Sequence, residues 1–193
     1  RDSGDIYVNG KRVDIKNPQD AVDAGIGYLS EDRKRYGVII EKTVAENTTM
    51  ASLKAFCKGL FIDKKAEKET AEQYVEALKT KTPSVEQQVR NLSGGNQQKV
   101  VIAKWLTRNC DILIFDEPTR GIDVGARDEI YNIMYDLVNQ GASIIMISSD
   151  LVEVLKMCDR VAVMREGVLE AILDNSPDLT QETILKYAMQ EGI

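Results

Sequence analysis

Residues Ile112-Leu113-Ile114-Phe115 form an unbroken apolar run that stops abruptly at Asp116-Glu117-Pro118. Consecutive apolar residues match a strand buried on both faces of a parallel sheet, because a half-solvated strand would alternate. Proline ends the ladder, having no N–H to donate. The two carboxylates therefore belong at the carboxyl end of a buried strand, where open α/β sheets bind their ligands. An acidic strand end on its own is also what a solvated turn looks like, so its neighbours decide its meaning.

Upstream lies Leu92-Ser93-Gly94-Gly95, followed by Asn96 to Leu106 with apolar residues at Val100, Val101, Ala103, Trp105 and Leu106. This pattern predicts a partly buried helix with Ser93 as a natural N-cap. Two glycines leave the first backbone N–H groups unobstructed, and the helix dipole adds roughly half a positive charge at that end. An anion site one short helix away from a carboxylate pair points to phosphoryl transfer. In that chemistry an aspartate at the strand end holds Mg²⁺, and an adjacent glutamate orients or deprotonates the attacking water.

Composition bounds the alternatives. With 193 residues, 43% of them hydrophobic, the chain can bury a sizeable core as one domain with a lobe or subdomain. A net charge of −6 argues against nucleic acid as the main partner, since neutralising phosphates needs clustered Lys and Arg. The three cysteines, Cys57, Cys110 and Cys158, are odd in number and lack metal-ligand spacing, which suggests a reducing cytosol. No apolar stretch approaches the roughly 20 residues that span a bilayer, and no signal peptide is legible, so membrane contact is expected through a partner protein.

Taken together, LSGGNQQK resembles the signature motif of ATP-binding-cassette (ABC) ATPases, and ILIFDEP resembles their Walker B strand with its catalytic glutamate. Thr119-Arg120-Gly121-Ile122-Asp123 is similar to their D-loop. The order and spacing match over nearly all of the chain. More narrowly, LSGGNQQK with DEPTRGIDVGA resembles the second nucleotide-binding half of monosaccharide importer ATPases of the ribose and galactose type, in which two such domains share one polypeptide.

The resemblance implies an α/β, P-loop NTPase-like core of three layers, with a mostly parallel sheet and a helical subdomain. It also implies ATP and Mg²⁺ as cofactors. Each ATP in such a pair lies between the P-loop of one half and the signature of the other. By resemblance, Ser93, Gly94 and Gly95 would clasp ATP held by the other half, and Asn96 and Asp123 of the D-loop are further nucleotide-binding candidates. Asp116 would hold the metal and Glu117 would be catalytic. Glu31 stands at the Q-loop glutamine position and Ser149 at the switch-histidine position; this chain contains no histidine at all. A carboxylate cannot donate a hydrogen bond, and serine cannot titrate near neutrality, so this half's own site is expected to be degenerate.

The pattern GxxxxGK[ST] occurs nowhere: Gly10-Lys11 is followed by Arg12 and has Asp5 at the first glycine position. The chain opens at Arg1 rather than methionine. With the resemblance, both features lead to the expectation that it begins just after the P-loop and is inactive alone; the resembling fold places the missing strand between those around Ile145 and Val163, so self-association or partial disorder is expected there. Expected partners are an amino-terminal nucleotide-binding domain of the same polypeptide, transmembrane permease subunits and, indirectly, a periplasmic or surface sugar-binding protein, at the cytoplasmic face of the membrane. Two alternatives stay open: a non-transport ABC ATPase, and a catalytically silent structural partner.

The expected regions are residues 1–42 (hairpin, strand and Q-loop), 43–108 (helical subdomain with signature) and 109–193 (Walker B, D-loop and carboxy-terminal core). Strands are expected at Ile6-Tyr7-Val8 and Arg12-Val13-Asp14 around Asn9-Gly10, then at Ile26 to Leu29. A helix capped by Asp63, with Ala71, Tyr74, Val75 and Leu78 inward, is expected to run to Thr82-Pro83. After the D-loop come a helix with Ile130, Ile133, Met134, Leu137 and Val138 inward and a buried strand at 143–148. Next are a helix through Leu151, Val154 and Leu155, and strands at Val161 to Met164 and Val168 to Leu173. A closing helix has Ile184, Leu185 and Ala188 on one face. The loop Ser30 to Arg35 reads either as a solvated charged turn or as a coupling surface.

Overall fold

The computed structural model describes residues 3–189. These divide into two compact units, the first ending at Ile145 and the second starting at Met146.

The first unit opens with a hairpin of β1 (Ile6–Val8) and β2 (Lys11–Val13), in which Ile6 pairs with Val13. Asn9 and Gly10 both take positive φ, 50° and 73°, the conformation a two-residue hairpin turn demands, so the second strand starts one residue earlier than predicted. Helix α1 (Pro18–Asp23) is entered through a reciprocal capping box between Asn17 and Asp20. Strand β3 (Ile26–Leu29) pairs in parallel with β6 (Ile112–Asp116), Tyr28 opposite Ile114 and Leu29 opposite Phe115. Leu29, Leu113 and Phe115 are fully buried. The sheet order is β3-β6-β7, where β7 is Ser143–Ile147 and carries the boundary between the units.

Between β3 and β6 the chain is less uniformly helical than the sequence predicts. Residues Arg33–Gly37 make one wide helical turn capped by Asp32, followed by α2 (Val44–Thr49) and a tight 3₁₀ stretch, Met50–Phe56. A short hairpin of β4 (Cys57–Lys58) and β5 (Phe61–Ile62) then leads to α3 (Lys64–Ala77). Asp63 caps α3 as expected, but the helix ends at Ala77 because Lys79 turns to positive φ, several residues before Thr82-Pro83. Tyr74 is half-buried, Ala71 and Leu78 buried.

Helix α4 (Gly94–Thr107) is the centre of this unit, touching α2, α3, β3 and α5 (Val124–Asn139). Gly27 of β3 is required by this packing: a Cβ there would lie 3.0 Å from Leu113 and 3.1 Å from the Trp105 ring. On α5, Ile130, Ile133, Met134 and Leu137 are buried, whereas Val138 is exposed. Gly141, with φ 99°, follows its end.

The second unit holds α6 (Leu151–Met157), the antiparallel pair β8 (Arg160–Arg165) and β9 (Val168–Asp174), and α7 (Gln181–Met189). Val154, Val161, Val163 and Ile184 form its core, with Ala188 packed against it. Leu185 is exposed, since it lies one residue off the buried stripe of α7. Strand β7 is not the fully buried strand predicted: Ile145 and Ile147 are 54% and 48% exposed, because no described element covers that face.

Two buried lysines hold α4 in place. Lys99 bonds the Lys79 carbonyl at 2.9 Å and Glu129 at 2.8 Å. Lys104 donates to the Gly37 carbonyl at 2.6 Å and lies over the Trp105 ring. Burial pushes the Lys104 ammonium from 10.5 down to about 8. Between those values the unfolded chain binds the proton and the folded chain does not, so this group's contribution to stability rises with pH. The stability difference between the natural chain and Lys104→Met, followed by denaturant unfolding, is expected to shift in favour of the natural chain by about 2 kcal/mol from pH 7 to pH 10. A pH-independent difference would contradict the buried charge.

Candidate functional site

The glycine turn before α4 is shaped by close packing. Ser93 occupies the N-cap position in extended geometry, but its side chain caps nothing. The sequence-based expectation of a serine cap is therefore corrected: Ser93 Oγ instead accepts from Asn96 Nδ2 at 2.9 Å. The amides of the first turn are left without a side-chain acceptor, as an anion site needs. The glycines have a further reason to be there. A Cβ on Gly94 would meet Arg33 Nη2 at 2.6 Å and the Gly121 carbonyl at 3.0 Å, and one on Gly95 would meet Ala126 Cβ at 2.8 Å.

A cavity of ≈ 230 Å³ opens beside this turn, lined by Ser93, Gly95, Asn96, Asp123, Lys81 and Glu129 among others. Four of the predicted site residues thus meet in one place, with Gly94 adjoining them. Asp123 spends Oδ1 on the Ala126 N–H, capping α5 at 3.0 Å. Glu129 is held below the usual carboxylate range, first by the hydrogen bond from Lys99. Lys81 carried no site signal in the sequence, since it lies in a polar loop, and Lys99 was present only as the last residue of LSGGNQQK.

Asp116 ends β6, half-buried, and accepts a 2.5 Å hydrogen bond from the Tyr28 hydroxyl. The parallel register makes this possible, since Tyr28 lies on the adjacent strand two positions before the level of Asp116. The bond to Asp116 raises the Tyr28 pKa. Glu117 follows with φ 47°, a left-handed conformation uncommon outside glycine, and its carbonyl accepts from Arg120 N at 3.1 Å. Such a backbone is retained where the surrounding structure enforces it, and it sets the direction of the Glu117 side chain.

The charged loop after β3 folds onto Arg120 and Gly121. Glu31 forms an ion pair with Arg120. Arg33 donates to the Arg120 carbonyl at 2.9 Å and the Gly121 carbonyl at 3.3 Å. Burial lowers the Arg33 pKa, against a smaller opposing effect of Asp32. Glu31 is thus engaged by an arginine. The wholly solvated reading of Ser30 to Arg35 does not hold, because Arg33 turns inward; nothing in a run of charges marks which residue does so.

Ser149 belongs to the second unit, between β7 and α6. Beside it Ser148 Oγ donates to Glu153 at 2.6 Å, and Asp150 caps α6. Among the described residues no group of three His, Cys, Asp or Glu could hold a metal, and no helix is long and apolar enough to cross a membrane.

The 2.8 Å approach at Gly95 has a measurable consequence. Gly95→Ala is expected to lower stability by about 1–3 kcal/mol through overpacking against Ala126, and the paired change Ala126→Gly to recover part of that loss. Chemical denaturation measures both; an unchanged midpoint for Gly95→Ala would contradict the packing.

A family profile described as ABC transporter matches residues 1–120. The chain is 54% identical over 167 residues to a xylose import ATP-binding protein, XylG, of Thermoanaerobacter pseudethanolicus, covering 86% of this chain and 33% of that protein. It is 48% identical over 190 residues to a ribose import ATP-binding protein, RbsA, of Clostridium tetani, covering 98% of this chain and 37% of that protein. The chain thus spans about a third of the length of these relatives. Among solved structures, the ATP-binding cassette MJ1267 of an ABC transporter matches with a TM-score of 0.75 and 25% identity, over 96% of this chain and 73% of that one. The parallel β3-β6 pair, the helical segment before α4 and the carboxylates at the end of β6 fit that fold, and the chain belongs to the ABC transporter ATP-binding family.

Proposed function

We propose that this chain is a nucleotide-binding half of the ATPase subunit of a sugar importer, and that it supplies the signature surface to an ATP held by a second half. The observation that carries this reading is the uncapped turn at Ser93-Gly94-Gly95, seated against the D-loop and opening on a cavity with Asp123. Backbone amides of the turn and the Ser93 hydroxyl are hydrogen-bond donors suited to phosphate oxygens. The names of the relatives, ribose import and xylose import ATP-binding proteins, support a pentose or similar monosaccharide as the transported solute.

In this reading Asp116 holds Mg²⁺, which neutralises phosphate charge when bound, and the Tyr28 hydroxyl orients the carboxylate. A lone protein carboxylate suits Mg²⁺, which keeps waters and substrate phosphates as its other ligands. Glu117, on its left-handed backbone, orients and deprotonates water at the same strand end. Glu31 is drawn to Arg120, and serine stands at position 149, so the site on this half turns over slowly or not at all. The two sites of the assembly are then unequal, and this half acts mainly through its signature.

No GxxxxGK[ST] pattern occurs in these 193 residues, and in this reading hydrolysis needs a second nucleotide-binding half. The exposed faces at Ile145 and Ile147 of β7, and at Met164 and Ile172 of β8 and β9, are apolar surfaces in need of cover, and self-association of the isolated chain would provide it. In the cell the partners are an amino-terminal nucleotide-binding half, permease subunits at the cytoplasmic face of the membrane and, through them, an extracytoplasmic sugar-binding protein.

Ser93→Arg, placed in the complete natural polypeptide, tests the reading. A long cation fills the space where a phosphate would sit, and ATP hydrolysis is expected to fall by about a hundredfold or more. An unchanged rate would contradict the assignment of the turn.

A further inference from the structure

We propose that Asn96 is a positioning residue that fixes the direction of the Ser93 hydroxyl proton, rather than a ligand of the nucleotide. The proposal rests on the reading above, in which Ser93 donates to a phosphate oxygen, and it names the side chain that prepares the serine to do so.

The evidence is a short chain of hydrogen bonds. The backbone N–H of Lys81 donates to Asn96 Oδ1 at 2.8 Å, and Asn96 Nδ2 donates to Ser93 Oγ at 2.9 Å. A backbone N–H can only donate, so it selects one orientation of the Asn96 amide. The flipped amide would set Nδ2 against Lys81 N, donor against donor, and would offer Oδ1 to the serine. In the selected orientation Ser93 Oγ is an acceptor toward Asn96, and its own proton must point elsewhere.

Ser93 is exposed and lines the cavity, and its hydroxyl caps no backbone N–H of its own helix. The proton is therefore available to an anionic oxygen in the cavity. A serine that capped α4 would have covered one of the first-turn amides. Because Asn96 engages Ser93 from the third helical position, the hydroxyl and the uncapped amides stay available together as donors. Lys81, in the loop after α3, takes part through its backbone, so the setting of the serine depends on where that loop is held. Lys99 holds it, bonding the Lys79 carbonyl two residues earlier.

The test uses the complete natural polypeptide with its membrane partner and reads ATP hydrolysis. Asn96→Asp is nearly isosteric and, in the first turn of α4, is favoured by the helix dipole, so the fold and Tm are expected to hold. Its carboxylate still accepts from Lys81 N–H but can only accept from Ser93, which turns the hydroxyl proton inward. Asn96→Ala leaves the hydroxyl free to rotate. Hydrolysis is expected to fall on the order of tenfold or more for Asn96→Asp, the effect of losing a donor to a charged group, and no more than about threefold for Asn96→Ala. In a Ser93→Ala background, which itself lowers the rate, Asn96→Asp is expected to cost less than about twofold more, because the group it misdirects is gone.

A full tenfold loss persisting without the serine hydroxyl would show direct repulsion of the nucleotide by the new charge and overturn the proposal. Asn96→Ala proving as damaging as Asn96→Asp would make Asn96 a ligand and also overturn it. If Ser93→Ala lowers the rate while Asn96→Asp does not, the positioning role fails and the phosphate reading survives. If Ser93→Ala has no effect, the phosphate reading fails and takes the proposal with it.

Discussion

The approach of Gly94 and Gly95 to the D-loop and α5 is the contact on which the rest of the candidate site depends. A first side-chain carbon would lie 2.8 Å from the Ala126 methyl at Gly95 and 3.0 Å from the Gly121 carbonyl at Gly94, where it would also displace the Arg33 guanidinium. That closeness brings the start of one helix against the start of another, so the glycine turn and Asp123 share a cavity wall. It also places the Arg33 fork over both, with its hydrogen bonds on the Arg120 and Gly121 carbonyls. A helix that merely began after a flexible turn would not need two glycines packed this way.

The same contact ties regions far apart in sequence. Glu31 and Arg33, just after β3, reach Arg120 and Gly121, just after β6, through one exposed ion pair and two hydrogen bonds from the Arg33 guanidinium. Exposed ion pairs contribute little, about 0–1 kcal/mol, so the Arg33 bonds to backbone carbonyls are the stronger constraint. The parallel β3-β6 pair supplies the frame: it aligns Leu29 with Phe115 and lets Tyr28 reach Asp116. The carboxylates and the signature are thus held by the same strand pair and the same helix, α4, which Lys99 and Lys104 lock to the surrounding segments through buried bonds.

Much of this was legible in the residues, for physical reasons that also explain the rest. The ILIF run marked β6, although its burial alternates rather than being complete on both faces, and Asp63 announced its helix because a cap is local chemistry. Ser93, Gly95, Asn96 and Asp123, each singled out by its motif, line one cavity, a meeting that no single motif showed. What failed was non-local. The cap at Ser93 was lost to Asn96, whose amide answers to Lys81, a residue fifteen positions away. Arg33 and Tyr28 gain their roles from a D-loop and a strand end 87 and 88 residues distant. Periodicity also overreached at Val138, Leu185, Ile145 and Ile147, which are apolar yet exposed, since a pattern marks a face without showing what covers it. The hairpin at Cys57–Ile62 escaped notice because two-residue strands have no period to detect.

The central claim is that this chain presents a signature surface and does not by itself cradle a nucleotide. Calorimetric titration of Mg-ATP into the isolated 193-residue chain, alone and together with a separately produced amino-terminal nucleotide-binding half, tests it most directly. The account predicts no measurable binding by the chain alone and binding when the other half is present, weakened by Ser93→Arg. Tight binding of Mg-ATP by the chain alone would contradict it.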